Sequence, residues 1–218
     1  ILSSYLNFYI TALKKQSFNK IYIDAFAGTG YITVGDTNET IEGSAKLALN
    51  AINKFDRYVF IEKKKKFAQE LGQLVENDYS DIADTITIMN EDCNDALLKI
   101  CRSTDWRRNR AILFLDPYAT EVKWTTLETV ASTKAIDVWY LFPMSAANRM
   151  LKKDKQIDET WKAKLDMIFG DNSWEQEFYI EDPQTNLFNT TEYKKDANIN
   201  AITDHTCKRL ETSIPSVT

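Results

Sequence analysis

The chain is expected to fold as an α/β protein, a mainly parallel sheet flanked by helices, and two observations carry that expectation. Five apolar, β-rich runs, at 21–23, 57–62, 85–89, 111–115 and 136–142, alternate with segments whose apolar residues recur at helical spacing. Such alternation marks βαβ units and a parallel sheet. The first run also leads through Asp24 into Ala25-Phe26-Ala27-Gly28-Thr29-Gly30. A glycine loop at a strand end is where open α/β sheets bind ligands.

Taken in order, Leu2, Leu6, Tyr9, Ile10 and Leu13 predict an amphipathic helix over 3–16. Ile21, Tyr22 and Ile23 then read as a buried strand. Residues 31–42 are polar, with Gly35, Asp36, Asn38 and Thr40, and read as a surface excursion able to flap over a pocket. Gly43-Ser44 opens a helix with Ser44 as N-cap and Leu47, Leu49 and Ile52 facing inward. The second strand, Arg57–Glu62, is followed by Lys63–Lys66, which reads first as a solvated helix start and second as a nucleic-acid contact. Phe67, Leu71 and Leu74 continue that helix, and Thr85–Met89 alternates as the third strand. A helix at 94–102 precedes Trp106-Arg-Arg-Asn-Arg110. That basic cluster reads as a solvated loop, with a phosphate contact near a substrate entrance as the alternative.

Ala111–Leu115 is an unbroken apolar run, as in a central strand buried on both faces. A helix with Trp124, Leu127 and Val130 leads to the fifth strand, and from Met144 the pattern changes. We therefore expect one domain at 1–143 and a mostly helical addition at 144–218 serving target recognition or a partner. In the addition, Arg149, Lys152, Lys153 and Lys155 fall on an expected helix, and a second helix at about 158–169 ends at Gly170. Trp174, Phe178 and Tyr179 read as core anchors, 181–198 as irregular, and 201–210 as a last helix. His205 is the sole histidine and gets no catalytic role, which argues against Ser-His-Asp or Cys-His chemistry.

The 218 residues suffice for one α/β domain with a sizeable core. A net charge of −5 and a pI near 5.1 argue against a protein that coats nucleic acid, while leaving room for a local basic face. No apolar run reaches membrane-span length and no signal peptide is evident. Cys93, Cys101 and Cys207 lack C-x-x-C spacing and read as thiols in a reducing compartment rather than disulfides or zinc ligands, so the cytoplasm is the expected location and no metal is expected. The chain opens on Ile1 rather than Met, and a piece of a longer protein is expected.

Chemistry concentrates at strand ends. The glycine loop lacks the third glycine of a dinucleotide fingerprint, since Thr33 stands there, and lacks the Gly-Lys-Ser/Thr of a P-loop, since Tyr31 and Ile32 follow Gly30. A ligand without phosphate needs neither, and an ordinary glycine turn is the plainer reading. Glu62 ends the second strand, where an acid commonly meets ribose hydroxyls. Asp92 and Cys93 follow the third strand, and Asp92 also suits a helix N-cap. Asp116-Pro117-Tyr118 closes the fourth strand, or is a simple Asp-Pro turn.

Asp24-Ala-Phe-Ala-Gly-Thr-Gly30 resembles the first motif of class I S-adenosylmethionine-dependent methyltransferases. That resemblance implies a Rossmann-like fold with S-adenosylmethionine as cofactor. Asp24, Phe26, Gly28 and Gly30 would hold the methionine part, Glu62 the ribose, and Asp92 with Cys93 the adenine. Asp116-Pro117-Tyr118 resembles the Asp/Asn-Pro-Pro-Tyr motif of amino-methyltransferases acting on nucleic-acid bases, with one proline missing and Ala119 after the tyrosine. By that likeness the carboxylate and the proline carbonyl accept the N–H bonds of a target amino group and the aromatic ring stacks on its base. A closer resemblance spans residues 1 to about 150. Glu42-Gly-Ser-Ala-Lys-Leu-Ala-Leu49, Phe60-Ile-Glu62, Glu91-Asp-Cys-Asn94, Phe114-Leu-Asp-Pro-Tyr118 and Leu141-Phe-Pro143, with the first motif, look like the bacterial three-Cys-motif partner family. It departs where that family has glycine at Ala119 and proline near Ala45. The Asp-Pro-Tyr likeness implies N-methylation of a nucleic-acid base, and the likeness to this family adds a three-Cys-motif protein as partner. The alternatives are a methyltransferase acting on a protein or small molecule, and a non-catalytic cofactor-binding module.

Overall fold

A computed structural model describes residues 2–33, 39–182 and 192–213. They fall into two compact units, one drawn from residues 1–116 and 133–141, the other from 117–132 and 142–218.

The first unit begins with α1 (Leu2–Ala12), β1 (Asn19–Asp24) and a two-stranded antiparallel hairpin of β2 (Tyr31–Thr33) and β3 (Thr40–Glu42). It continues with α2 (Ser44–Leu49), β4 (Arg57–Ile61), α3 (Lys65–Asp78), β5 (Ile86–Met89), α4 (Cys93–Ser103) and β6 (Asn109–Leu115). After α5 (Trp124–Ser132), which belongs to the second unit, it closes with β7 (Ile136–Tyr140). The sheet runs β5-β4-β1-β6-β7 with every pair parallel. Strand order reverses between β1 and β6, the switch point beside which α/β sheets bind ligands. This is a Rossmann-like α/β fold, as the alternation of strands and helices predicts.

The core follows from strand period. Tyr22, Tyr58, Phe60, Ile112 and Phe114 point to one face, where residues of α1, α2 and α3, among them Leu6, Leu49 and Leu71, join them in one buried cluster. Tyr22 meets Phe55, Tyr58 and Phe60 at ring-centroid distances of 5.5, 6.4 and 6.3 Å. Alternate residues Ile21, Ile23, Val59, Ile61, Leu113 and Leu115 are buried on the opposite face, and burial on both sides is why these strands read as unbroken apolar runs.

In the second unit, α6 (Met144–Met150), α7 (Glu159–Phe169), α8 (Trp174–Phe178), the hairpin of β8 (Tyr179–Glu181) and β9 (Tyr193–Lys195), and α9 (Ile199–Ser213) surround Leu165, Ile168, Phe169, Trp174, Phe178 and Ile202. The Asp158 carboxylate caps α7 by accepting the Trp161 N–H at 3.0 Å, and Gly170 ends it at φ +93°. A Cβ at Gly170 would lie 2.5 Å from Trp124 Cδ1, so glycine is required there twice over. Trp174, Phe178 and Tyr179 are the expected anchors. His205 is buried in this core, its Nδ1 2.6 Å from Glu177 Oε2 and its ring edge-on to Phe169 and Phe178.

Several expectations need correction. The excursion at 31–42 contains the β2–β3 hairpin, with 34–38 outside the described residues. Helix α2 stops at Leu49, which leaves Ile52 outside it and 87 % exposed. The N-cap of α2 is Gly43, with no side-chain cap bond, and Ser44 is the first residue of the helix, near enough to Asp24 to lower its carboxyl. Helix α6 ends at Met150, so Lys152, Lys153 and Lys155 lie in the turn that follows, Lys155 at φ +60°. The stretch 181–198 includes β9, while 183–191 lie outside the described residues.

Candidate functional site

Strand order sets four acids in a row along the carboxyl edge of the sheet. Asp92 follows β5, Glu62 follows β4, Asp24 ends β1, and Asp116 follows β6. Neighbouring strands are about 4.8 Å apart, so acids distant in sequence become neighbours.

Asp24 is fully buried. Its Oδ1 accepts the Phe26 N–H at 3.1 Å, while Oδ2 has no hydrogen-bond partner among the described residues. The Tyr22 hydroxyl, two residues back on the same face, is likewise buried and unpartnered, near enough to feel the Asp24 charge without a well-formed bond to it. Desolvation pushes the Asp24 carboxyl up to about 6, against the Ser44 hydroxyl and the Phe26 N–H, which pull it down; the Asp116 charge adds to the rise. At roughly 1.4 kcal/mol per unit, holding this carboxylate ionised costs about 3 kcal/mol. The surrounding protein does not offset that cost, and an orphaned buried carboxylate oxygen is the mark of a group kept for something else.

The loop after it is shaped by glycine. Gly28 and Gly30 sit at φ +59° and +86°. A Cβ on Gly28 would meet nothing within 4 Å, so open space lies beside it, whereas a Cβ on Gly30 would come 2.6 Å from Leu74 Cδ2. Gly30 O accepts the Gly43 N–H at 2.9 Å, which fixes the root of the β2–β3 hairpin. Lys46 braces the same root, donating to the Tyr31 hydroxyl at 2.8 Å. Phe26 is half-buried.

Glu62 is 4 % exposed, and its carboxylate joins two crossover loops. Oε2 accepts the Gly28 N–H at 3.1 Å and Oε1 the Lys64 N–H at 2.7 Å. A carboxylate has about four acceptor positions, so hydroxyl donors still have two. The Asn90 side chain supports this corner, donating to the backbone oxygens of Glu62 and Lys63 at 2.8 and 3.0 Å.

Asp92 is the N-cap of α4. Its Oδ1 accepts from the Asn94 N–H and side-chain amide at 3.0 and 2.9 Å, and Lys63 donates to Oδ2 at 3.1 Å. Desolvation would raise its carboxyl, but the bonds from Asn94 and Lys63 outweigh it and hold the group below its usual range. Cys93 is buried in the first turn of α4. The three cysteines form no disulfide.

Asp116 is exposed, yet partial desolvation raises its carboxyl. Pro117, buried, and Tyr118, 73 % exposed, belong to the second unit. The structure thus gathers Asp24, Phe26, Gly28, Gly30, Glu62, Asp92, Cys93 and Asp116 in the first unit, around the carboxyl edge. Trp106–Arg110 lies elsewhere: Arg110 is in β6 at the end opposite Asp116, about 20 Å away for a strand of this length. Its guanidinium lies over Phe18 at 3.9 Å and Trp106 donates to Cys101 O at 2.8 Å, so these two residues brace the amino edge.

Tyr22, Ser44 and Asn90 also shape the site and were not singled out by sequence. The alternation that puts Tyr22 on the face of Asp24 is the one signal that was available. Among the described residues no group of three or more His, Cys, Asp or Glu could hold a metal ion, and no helix is long and apolar enough to cross a membrane.

No protein-family model and no curated protein sequence matches the chain. Solved structures do resemble it. A Legionella pneumophila protein shares 11 % identity over 98 % of this chain and 90 % of its own, at TM-score 0.46. A Clostridium thermocellum protein provisionally named an rRNA-methylase shares 11 % over 89 % and 96 %, at 0.38. A Listeria monocytogenes protein provisionally named an S-adenosylmethionine-dependent methyltransferase shares 9 % over 94 % and 84 %, at 0.39. Scores this low carry no argument about activity, and the fold rests on the strand order itself.

Proposed function

We propose that the carboxyl edge of the first unit binds S-adenosylmethionine and that the protein is a methyltransferase acting on an amino group of a nucleic-acid base. The observation that carries this reading is Asp24: a buried carboxylate with one orphaned oxygen, held beside an open, left-handed glycine loop at the switch point of the sheet. Those features fit a ligand that brings a cationic amino group and no phosphate. When bound, S-adenosylmethionine supplies an activated methyl group on a sulfonium.

The chain's own residues would do the rest. Asp24 pairs with the ammonium of the methionine part, which lowers the cost of its ionised form. Gly28 and Gly30 allow close approach, with Phe26 beside them. Glu62 offers its remaining acceptor positions to the ribose hydroxyls. Asp92, braced by Lys63, accepts from the adenine amino group and Cys93 lies against the ring. Asp116 accepts an N–H of the target, drawing its nitrogen toward the geometry needed for attack. The motif resemblance gives Pro117 the second acceptor and Tyr118 the stacking ring.

A protein or small-molecule acceptor is the second reading, favoured by the net charge of −5. The likeness to the three-Cys-motif partner family adds a protein partner. The deciding experiment is calorimetric titration with S-adenosylmethionine, for the wild type and Asp24→Ala, followed by methyl-transfer assays on DNA, RNA and protein. Micromolar binding lost in the variant supports the cofactor site; a folded wild type that does not bind overturns it.

A further inference from the structure

We propose that the α4 face of the same sheet carries a second binding cavity, suited to a small molecule that joins one carboxylate to an apolar body. A cavity of about 290 Å³ lies there, within the first unit. Its floor is Ile21, Val59, Met89 and Ile100, apolar residues of β1, β4, β5 and α4. This volume lies just below the usual range for ligand pockets, about 300–1,000 Å³, and suits a small ligand.

The charge at its rim selects the ligand. Arg57 opens β4, pairs in register with Ile21, and shares the face of Ile21 and Val59. Two other charged rim groups are already matched: Lys99 with Glu91 at 2.5 Å, and Asp105 with Arg107 at 2.8 Å. Arg57 makes no side-chain ion pair or hydrogen bond among the described residues. One guanidinium, with its planar fork of donors, is thus left above an apolar floor, and a single carboxylate matches it in charge and geometry. Asn109, Ser103 and Thr104 complete a polar rim.

This cavity is separate from the candidate cofactor site. Its strand residues Ile21, Arg57, Val59, Thr87 and Met89 share the face of the sheet opposite Tyr22 and Asp24, and none of the four acids lines it. A ligand held here touches none of the four acids at the carboxyl edge, so the proposal stands whether or not the protein transfers methyl groups.

The test is a titration with 2-naphthoate, followed by amide chemical shifts of the full chain, with 2-naphthalenemethanol as the neutral isostere. The expected result is saturable shifts at Ile21, Val59 and Ile100, and a dissociation constant raised about tenfold or more in Arg57→Met, the size of a lost charge-assisted contact. The alcohol should bind the wild type as weakly as naphthoate binds the variant. Arg57 is exposed, so the variant keeps the fold. No shifts at those amides with millimolar naphthoate would overturn the proposal. So would equal affinity in Arg57→Met, or an alcohol that binds as tightly as the acid.

Discussion

The ends of β1 and β5 each carry an aspartate, and the two live under opposite regimes. Asp92 is surrounded by donors from Asn94 and Lys63 and is held below its usual range. Its work as the cap of α4, with the Lys63 pair, accounts for this stabilisation without any ligand. Asp24 sits among Tyr22, Ser44 and Asp116, with one oxygen unpartnered, and is pushed up to about 6. Structural work does not account for it. An acid at a strand end is therefore a weak sign of function until its surroundings are known, and the discriminating sign is stabilisation that the fold fails to provide.

The largest test of this contrast is Asp24→Asn. The amide can keep the Phe26 N–H contact and offer an N–H to the Tyr22 hydroxyl. We expect S-adenosylmethionine affinity to fall at least about a hundredfold, from the loss of a buried charge pair, while stability at pH 7 rises by up to about 3 kcal/mol. Calorimetry and urea unfolding would check the two halves. A variant no more stable than the wild type would show that the carboxylate is at ease where it is.

Proton linkage makes the same comparison with opposite signs. The folded pKa of Asp24 lies above its unfolded value of about 3.9, so the native state holds its proton longer. This group's contribution to stability is greatest below about pH 4, falls as pH rises toward 6, and is flat beyond. Asp92 has a depressed pKa, so its contribution is present above about pH 4 and is lost as pH falls further. Unfolding curves from pH 3 to 7 should flatten between 4 and 6 in Asp24→Asn and below 4 in Asp92→Ala. If the two variants flatten the same interval, the contrast fails.

Gly30→Ala comes next, with a loss of about 2 kcal/mol expected in thermal or urea unfolding, because the new Cβ meets Leu74 at a strained backbone angle. Gly28→Ala should cost about 1 kcal/mol, since nothing crowds its Cβ and only the backbone resists. Asp92→Ala should cost about 1 kcal/mol as a lost helix cap. Smallest is Lys63→Gln, under about 0.5 kcal/mol, because its lysine is largely exposed and the pair is screened.

The strands were legible because residues buried on both faces must be apolar throughout, as Ala111–Leu115 shows. Asp24, Glu62 and Asp116 were legible because each interrupts such a run at its end, whereas Asp92 stands three residues past Met89. What lay beyond reading was set by partners far along the chain. Ser44 reads as a cap, and only the fold shows it to be the first helical residue, set near Asp24. The backbone bonds of Glu62 to Gly28 and Lys64 leave no trace in spacing. Strands β8 and β9 are three residues each, too short for a period to register. The helix expected through Lys152, Lys153 and Lys155 ends before them, because a turn after Met150 exposes Lys152 and Lys153 as well as a helix does, while Lys155 pairs with Glu175 at 3.3 Å.

The interleaving of the two units has a consequence for how the chain is made. The fifth strand of the sheet, β7, follows α5, and its neighbour β6 was completed 20 residues earlier. During translation the first four parallel strands leave the ribosome with the β6 edge uncovered until Tyr140 emerges, at 5–20 residues per second on the order of a second or more later. A truncation at Asp116 would make that interval permanent, leaving an apolar central strand as a bare edge open to pairing with other chains. A cut after Asp116, where the first unit is interrupted, is therefore one that invites aggregation, whereas a cut after Pro143 keeps β7.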